Sequence, residues 1–272
     1  MPALSVAKPA EMDPQSPVPA IPTASFRLTL SHPSTHSYVA RLATSLPDVQ
    51  AAQAMRFRVF NLELGEGLAQ SHHTGLDRDP FDEVCDHLIV ENERTKEVVG
   101  TYRMQTGRQA ARHRGCYSAQ EFDFAPFEPL RAELLELGRA CVAPEHRNLL
   151  VLQLLWRGIA LYARTYGARY LVGCSSINSQ DPAAGAALYS ALVRRHLAPA
   201  QFQTRPHPGL ACPMATMTEE APKVPKLLGA YLALGATICG PPALDREFGT
   251  IDFLTLLDLQ TLPKRSVEKF LR

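Results

Sequence analysis

The sequence predicts a mixed α/β fold in which helices flank a central sheet of parallel and antiparallel strands. Residues 134–176 run as an apolar strand, a long helix and a second apolar strand, which is the order of a β-α-β unit. Such a crossover makes its two strands parallel. Residues 87–105 contain two strand-like segments on either side of a polar turn, which is typical of an antiparallel hairpin.

The first helix and the hairpin are placed by the residues at their ends. Asp48 is a suitable N-cap for a helix through VQAAQAMRFRVFNLELG, which ends near Gly65. The polar residues 66–80, rich in aspartate and histidine, predict a loop. In the hairpin we expect strands at His87–Glu91 and Glu97–Gln105, with the residues between them as the turn.

The β-α-β unit begins with a strand at Leu134–Val142, and Pro144 ends it. The segment NLLVLQLLWRGIALYARTYG predicts a long helix. Gly167 closes this helix, because glycine readily adopts the left-handed conformation at a helix C-terminus. Arg169–Ser176 forms the second strand, and a further helix is expected at about 183–197.

The last part of the chain alternates turn-forming and apolar segments. The prolines of 199–225 predict a loop, and TIDFLTLLDL at Thr250–Leu259 predicts a late strand. The segment Leu227–Gly240 contains three glycines and is too short for a transmembrane helix. We interpret it as a buried helix followed by a turn, with interfacial insertion into a membrane as the alternative.

Composition and charge exclude several classes of protein. The chain is 46% apolar and 20% charged, which is ordinary for a soluble protein, and its net charge of +1 gives no case for binding nucleic acid. Residues 1–25 are rich in proline and alanine and lack an apolar core, so we expect a disordered leader rather than a secretory signal. The six cysteines show no metal-binding or CxxC spacing, which favours buried free thiols in a reducing, cytoplasmic compartment.

Charged side chains flank the predicted elements in four places. They are Arg56 on the first helix, Asp77, Asp79 and Asp82 in the loop, Arg103 on the hairpin, and Glu136 and Arg139 in the strand LLELGRACV. Glu136 and Arg139 are the most informative, because a charge in an apolar strand is costly unless it is paired. Strand alternation places these two on opposite faces of the sheet, or one of them at a bulge.

The other charges also have ordinary explanations. Arg56 and its neighbour Arg58 fit a solvated helix face, and the three aspartates fit a surface turn. A metal site that includes the nearby His72 and His73 is a third interpretation. An EF-hand loop requires glycine at its sixth position, where this sequence has Asp82, so we predict no metal.

The spacing of these charges is similar to that in acyl-homoserine-lactone synthases, which are GNAT-like acyltransferases that use acyl carrier protein. The shared pattern is Arg56-x-x-x-Phe60, Asp77, Asp79, Asp82, Arg103, Glu136 and Arg139. The sequence departs from that family in two ways. Asp77 stands where the family usually has glutamate, and the tryptophan expected after the first helix is absent, since the single tryptophan is Trp156.

A second family resembles this chain over about residues 48–272. The strings FDEVCDHLIV, VVGTYRMQ, ELGRACVAPEHR, YLVGCSS and LLGAYLALGATICGPPALDREFGTIDFLTLLDL are similar to those of L-ornithine Nα-acyltransferases of bacterial ornithine-lipid synthesis. The resemblance implies a GNAT-like mixed sheet in an acyltransferase domain at 26–272, with a C-terminal extension and no cofactor. It implies transfer of a 3-hydroxyacyl group from acyl carrier protein to the α-amine of L-ornithine, giving a lyso-ornithine lipid. It also implies a cytoplasmic enzyme that meets the inner membrane transiently.

The chemistry of amide formation suggests a role for each charged residue. An amine must be neutral to attack a thioester, and Glu136 is our candidate for the general base. Arg103 and Arg139 are expected to orient neighbouring carboxylates or to bind the acceptor carboxylate. Carboxylates in the loop suit a cationic amino acid, through charge-assisted hydrogen bonds. The candidates for substrate binding are Arg56, Asp77, Asp79 and Asp82.

The start of the long helix favours an acyl donor carried on a protein. CoA-dependent GNAT enzymes carry glycines there that present backbone N–H groups to the pyrophosphate, whereas Arg147–Leu152 contains none. By resemblance, the pantetheine arm lies between the splayed strands Leu134–Val142 and Arg169–Ser176, and the thioester oxygen meets a backbone N–H near 140–142. Tyr189 is a candidate proton donor to the thiolate, although packing of its helix is the favoured explanation.

Acyl carrier protein is acidic, so its docking surface is expected to be basic. The densest basic stretch is GRQAARHRGC, with Arg108, Arg112 and Arg114 as docking candidates, although a solvated loop explains it equally well. The alternative is a set of arginines in the long helix segment: Arg147, Arg157 and Arg164.

Three other functions stay open at this point. An acyl-homoserine-lactone synthase is one, and the extension after residue 200 argues against it. An N-acyltransferase for glycine, lysine or glutamine is the second. A non-catalytic binding module or membrane-active hemolysin is the third, and neither a secretion signal nor a toxin-like repeat supports it.

Overall fold

The computed structural model describes residues 25–31, 37–214 and 222–263. The predicted leader at 1–25 lies outside the described residues except for Ser25, and so does part of the predicted loop at 199–225. The described residues form a nine-stranded sheet flanked by helices, which confirms the mixed α/β fold that the sequence predicts.

One parallel pair sits within an otherwise antiparallel sheet. The strands are β1 Arg27–Ser31, β2 Ser37–Leu42, β3 Asp86–Asn92, β4 Val98–Thr106, β5 Leu134–Val142, β6 Tyr170–Ile177, β7 Thr237–Ile238, β8 Ala243–Asp245 and β9 Thr250–Asp258. Their spatial order is β1-β2-β3-β4-β5-β6-β9-β7, and β8 also pairs with β9. Strands β5 and β6 are parallel, as the β-α-β pattern predicts, and every other described pair is antiparallel.

In the described part of the chain, six α-helices and several 3₁₀ turns connect the strands. The helices are α1 Leu46–Phe57, α2 Ser71–Thr74, α3 Gly107–Arg112, α4 Leu149–Tyr166, α5 Pro182–His196 and α6 Lys226–Ala233. The 3₁₀ turns are Pro80–Glu83, Tyr117–Gln120, Ala125–Glu133, Pro144–His146, Ala200–Phe202 and Leu259–Thr261.

Helix α1 begins differently from the expectation. Its N-cap is Ser45, whose Oγ accepts a hydrogen bond of 3.3 Å from the backbone N–H of Asp48. Asp48 was expected to be the cap, and this is wrong, because its carboxylate in the first turn binds Arg41 of β2 at 2.7 Å. Arg58–Glu63 continue the helix with π-helical hydrogen bonds, so the predicted end near Gly65 is confirmed.

Helix α4 covers one face of the sheet. Asn148 caps it, because its Oδ1 accepts a hydrogen bond of 3.1 Å from the backbone N–H of Val151. Gly167 closes it with a φ of 68°, as predicted. A Cβ at Gly158 would lie 2.7 Å from the side chain of Leu88, so glycine there allows the helix to approach β3 closely.

The other face of the sheet packs against α1 and carries the predicted charges. In β3, Leu88 packs with the α4 residues, whereas its neighbour Ile89 packs with those of α1. In β5 the same alternation turns Leu135 toward α4 and Glu136 away from it. We call these two surfaces the α4 face and the α1 face.

The C-terminal apolar segment is helical only in its first half. Helix α6 ends at Ala233, and Gly235 follows in a turn with a φ of 98°. Thr237–Ile238 then pair with β9 as strand β7, so a helix followed by a turn is confirmed only as far as Gly235. The expectation that this helix is buried is wrong, because Leu228 is the one residue of α6 that is buried. None of the described helices is long and apolar enough to cross a membrane.

Candidate active site

Strand β5 contains a bulge at Arg139. Arg139 and Ala140 together lie opposite Tyr102 of β4, which is the two-against-one arrangement of a bulge. Arg139 has a φ of 49°, in the left-handed region that residues other than glycine rarely adopt. Its guanidinium reaches Asp79 on the α1 face, which also carries Glu136. This confirms the bulge rather than the simple alternation that the sequence left open.

Three arginines and three aspartates form a buried arginine–aspartate network on the α1 face. Its members are Arg56, Asp77, Asp79, Asp82, Arg103 and Arg139. Arg56 is fully buried and forms ion pairs of 2.8 Å with both Asp77 and Asp82. Burial alone would raise the pKa of Asp82, but the charges of Arg56 and Arg103 hold that pKa well below its usual range. The formal charges of the six side chains cancel.

Asp79 joins the network to β5. Its Oδ1 lies 2.6 Å from a guanidinium nitrogen of Arg103, and its Oδ2 lies 2.9 Å from one of Arg139. It also caps a 3₁₀ turn, because it accepts a hydrogen bond of 2.7 Å from the backbone N–H of Phe81. The protein's own donors therefore occupy Asp79 as they do Asp82, and an acceptor cation would compete with arginines for either carboxylate.

Glu136 anchors a turn that covers the site. It is 5% exposed and accepts hydrogen bonds of 2.7 Å from the backbone N–H of Tyr117, and of 2.8 and 2.7 Å from the N–H and hydroxyl of Ser118. Burial raises the pKa of Glu136, and these donors oppose the rise. Its carboxylate lines the cavity but is held by three donors.

Tyr117 separates two regions of charge. Its ring lies against the guanidinium groups of Arg103 and Arg139, with centroid distances of 5.3 and 5.0 Å. Its hydroxyl donates a hydrogen bond of 3.4 Å to Oδ2 of Asp245. On the other side of Arg139, the ring of Phe248 lies 4.4 Å away.

Beyond Tyr117 lies a group of carboxyl groups that sequence analysis missed, which we call the acidic end. Its members are Glu66, Glu121, Asp245 and Asp252. Among the described residues, no lysine, arginine or histidine nitrogen lies within 4.0 Å of these carboxylates. Burial and the charge of Asp252 raise the pKa of Glu66 to about 7. Burial and the charge of Asp245 raise the pKa of Asp252 to about 6, and burial also raises that of Glu121.

One member of the acidic end has a recognisable sequence signal. Asp252 interrupts the apolar strand TIDFLTLLDL, and the same criterion singled out Glu136. Glu66 and Glu121 lie in turns far apart in the sequence and Asp245 ends strand β8, and only the tertiary structure brings the three together.

The parallel strands β5 and β6 part in the middle of the sheet. They pair only where Leu134–Glu136 meets Tyr170–Val172. A Cβ at Gly173 would lie 2.2 Å from the backbone oxygen of Leu137, so glycine is needed at the point where the strands separate. Beyond that point both strands line the cavity, as the resemblance implies for this strand pair.

A cavity of about 870 Å³ passes through this gap and reaches both faces of the sheet. On the α4 face it is apolar, and its lining includes Leu152, Leu155, Trp156, Leu171, Tyr231 and Leu257. On the α1 face it is charged, and its lining includes Glu66, Arg103, Glu136, Arg139, Asp245 and Asp252. The arrangement suits a long apolar group on one side and a charged amine on the other.

The thiols and carboxylates of the acidic end offer one candidate metal site. All six cysteines are free, as predicted. Ligand atoms of Glu121, Cys174 and Asp252 lie within 4.8 Å of one another. Burial and the charge of Glu121 raise the pKa of the Cys174 thiol, which disfavours the thiolate that a metal needs.

Basic residues proposed for carrier docking fall in two places. Arg108, Arg112 and Arg114 are exposed on and just after α3, and none of them lines the cavity. Arg147 lies at the cavity wall before α4 and pairs with Glu63 at 2.6 Å.

Tyr189, the candidate proton donor to the thiolate, lies away from the cavity. It packs with the apolar residues around α5, as the favoured explanation predicts. A role for its hydroxyl in the chemistry therefore has no support in the geometry.

Comparison with known proteins agrees with this geometry. Residues 55–157 match the family model described as an acetyltransferase (GNAT) domain. The chain is 35% identical over 250 residues to an L-ornithine N(alpha)-acyltransferase of Brucella abortus, covering 85% of this chain and 87% of that protein. It is 32% identical over 249 residues to a protein of the same name from Rhodobacter capsulatus, covering 87% and 95%.

A solved structure shares the fold. An N-acyl amino acid synthase from uncultured soil microbes superposes with a TM-score of 0.51 at 15% identity, covering 85% of this chain and 94% of that one. Since sequence identity to the named relatives extends over most of both chains, this chain belongs to the L-ornithine Nα-acyltransferase family of GNAT-type N-acyltransferases.

Proposed function

We propose that this enzyme transfers a 3-hydroxyacyl group from acyl carrier protein to the α-amine of L-ornithine and releases a lyso-ornithine lipid. The relatives carry ornithine in their names. The observation that supports the proposal most directly is the cavity, which joins an apolar side to a charged side through the gap between β5 and β6. An acyl chain suits the first side, and a cationic amino acid suits the second.

The thioester belongs in the gap itself. A bulge leaves backbone groups outside the regular hydrogen-bond ladder, and a backbone N–H at 140–142 is our candidate donor to the thioester oxygen. The amine nitrogen attacks the carbonyl carbon, the C–N bond forms, and the C–S bond breaks. The proton lost by the nitrogen passes to a base and from the base to the thiolate of the carrier arm, which leaves as the free thiol.

Glu136 is our candidate for that base, with Arg103 and Arg139 beside it. It lines the cavity where the strands part, and burial raises its pKa above the usual value of a glutamate. Three donors hold its carboxylate, so it must release one of them, or act through a bridging water, to accept the proton.

The donor enters beside the N-terminus of α4. The mouth of the cavity is lined by Lys226 and by Arg147, which would exchange its partner Glu63 for a carboxylate of an acidic carrier protein. It is also bordered by three leucines that are 36–49% exposed. They are Leu64, Leu149 and Leu227. An apolar rim of this kind suits release of an amphiphilic product to the inner membrane surface.

The decisive experiment is product analysis by mass spectrometry. The purified enzyme is incubated with 3-hydroxyacyl carrier protein and L-ornithine, and in parallel with lysine, glutamine, glycine or S-adenosylmethionine in place of ornithine. We expect Nα-(3-hydroxyacyl)ornithine as the main product. A lactone from S-adenosylmethionine, preference for another amino acid, or equal turnover with acyl-CoA would each contradict a named part of the proposal.

Carrier docking is tested by charge reversal. If the carrier docks at the cavity mouth, Arg147→Glu should lower the rate at low carrier concentration by about 10-fold and weaken the salt dependence of that rate. The double variant Arg112→Glu with Arg114→Glu tests the site predicted from the sequence. The variant with the larger loss, at an unchanged KM for ornithine, identifies the docking surface.

A further inference from the structure

The acidic end lies on the α1 side of the cavity and holds more negative charge than the protein neutralises. We propose that Glu66, Asp245 and Asp252, with Glu121 behind them, form the subsite that binds the side-chain ammonium group of the acceptor amino acid. This inference rests on the proposed function, since it gives a place to the amino acid that the reaction consumes. The ligand class is a primary alkylammonium on a short chain, as in the side chain of ornithine.

Asp252 distinguishes this group from an ordinary acidic surface. It is 3% exposed on strand β9, lines the cavity, and has a buried Oδ1 that accepts no hydrogen bond from a backbone or side-chain N–H or O–H of the described residues. The carboxyl group of Glu121 lies directly behind it, within hydrogen-bonding reach, so the two side chains can share a proton when no ligand is bound. A buried carboxylate oxygen that lacks a donor is destabilising, and an ammonium group in the cavity would supply the missing donor.

Asp245 is held rigidly at the edge of the subsite. Its Oδ1 accepts hydrogen bonds of 3.0 and 2.8 Å from the backbone N–H groups of Glu247 and Phe248. Its Oδ2 accepts only the hydroxyl of Tyr117, at 3.4 Å. One oxygen thus fixes the side chain, and the other keeps room for a ligand.

The groups that face the subsite make it responsive to charge. Asp252 lies near Asp245 and Glu121, and Glu66 lies near Asp252 and Arg139. Because the carboxyls are buried and also lie close to one another, the pKa values of Glu66 and Asp252 rise to about 7 and about 6. A bound cation stabilises the ionised forms and lowers both pKa values.

Arg139 makes the distribution of charge in the pocket asymmetric. It borders both the arginine–aspartate network and the acidic end, and its charge lowers the pKa of Glu66. A zwitterion therefore meets positive charge beside Arg139 and negative charge beside Asp252. Opposite charges pair when the bound amino acid points its α-carboxylate toward Arg139 and its ammonium group toward Asp252.

The test compares L-ornithine with L-norvaline, which has the same carbon chain without the terminal amine. We expect the wild-type enzyme to prefer ornithine in kcat/KM. The isosteric changes Asp252→Asn, Asp245→Asn and Glu66→Gln should each lower that preference by roughly 10- to 100-fold, mainly through KM for ornithine, in line with loss of a charge-assisted bond. Turnover of norvaline should change much less.

Two further variants calibrate this result. Asp258→Asn is a matched control on the same strand, because Asp258 pairs with Arg169 at the protein surface and does not line the cavity. It should keep the wild-type preference. Asp79→Asn tests the rival cation site that the sequence predicted, and we expect it to affect ornithine and norvaline alike.

Binding measured by calorimetry without acyl donor separates the two hypotheses. Preferential binding of ornithine that depends on Asp252, without acyl transfer, would support the subsite and refute the proposed function. Acyl transfer to ornithine with the preference unchanged in all three variants would refute the subsite and keep the function. Loss of activity on treatment with a chelator, restored by zinc, would show that Glu121, Cys174 and Asp252 hold a metal and would also overturn the proposal.

Discussion

The arginine–aspartate network and the acidic end occupy the same face of the sheet, on either side of Tyr117, and they treat buried charge in opposite ways. In the network, three guanidinium groups meet three carboxylates, at distances as short as 2.6 Å, and the charges cancel. In the acidic end, four carboxyl groups have no basic partner within 4.0 Å among the described residues. Both groups lie against the cavity, so proximity to the cavity does not by itself assign a role to either group.

The two regions differ in whether the cost of losing water is offset. Moving an ion into a protein interior costs several kcal/mol, which a close counter-ion can recover. The network recovers it by pairing, and the pKa of Asp82 is accordingly lowered. In the acidic end no counter-ion offsets the cost, and burial accordingly raises the pKa of Glu66 and of Asp252. We therefore expect charge of the first kind to serve the fold and charge of the second kind to be available to a ligand.

The largest expected effect is on stability. Asp82→Asn should lower the free energy of unfolding by about 3–5 kcal/mol, because it leaves the buried Arg56 without one of its partners. Asp252→Asn, the same chemical change in the acidic end, should leave that free energy unchanged or raise it at pH 8. Denaturant unfolding of both variants measures the difference. Equal losses of unfolding free energy would show that the network and the acidic end do not differ in this way.

Glu136 lies between the two regions, and its replacement tests which one it serves. Glu136→Gln should lower kcat by about 100-fold or more if Glu136 is the general base. Ser118→Ala is the control, since it removes one donor and keeps the carboxylate. Unchanged kcat in a folded Glu136→Gln variant would remove Glu136 from the mechanism and leave it as an anchor of the turn Tyr117–Gln120.

The smallest effect is the pH dependence of stability. Asp252 has a higher pKa in the folded protein, about 6, than in an unfolded chain, about 3.9, so it stabilises the fold when protonated. This contribution is complete below about pH 4 and is lost as the pH rises through about 6. The contribution of Asp82 to stability depends on pH in the opposite direction, because it is lost as the pH falls below about 4.

Thermal unfolding of the wild type and Asp252→Asn at pH 5 and pH 8 measures this linkage. As the pH rises, the free energy of unfolding of the variant should increase relative to that of the wild type, by on the order of 1–3 kcal/mol. If the difference in unfolding free energy between the two proteins is the same at both pH values, the pKa of Asp252 is not raised in the folded protein.

Local sequence patterns were sufficient to predict the long regular helices and strands. The hairpin, the strand at Leu134–Val142 and the helix closed by Gly167 were all predicted and are confirmed. Two boundaries were wrong where a local signal had a competitor. Asp48 is a good N-cap in isolation, but Arg41 attracts its carboxylate. The segment after Ala233 is apolar like the helix before it, but it contains Gly235 and the β-branched Thr237 and Ile238, and it pairs with β9.

The sequence by itself determined the mixed α/β fold, the parallel pair around α4 and, through resemblance, the set of charged residues that the structure brings together on the α1 face. Only the tertiary structure decided how each of those charges is used, because pairing and burial depend on residues far apart in the chain. It placed the bulge at Arg139, gave each aspartate of the network a guanidinium partner, and clamped Glu136 to Tyr117 and Ser118. It also gathered Glu66, Glu121, Asp245 and Asp252 from separate elements into one unneutralised group. The physical reason is that hydrophobic periodicity and helix caps act over a few residues, whereas an electrostatic environment is set by whichever side chains the completed fold brings close together.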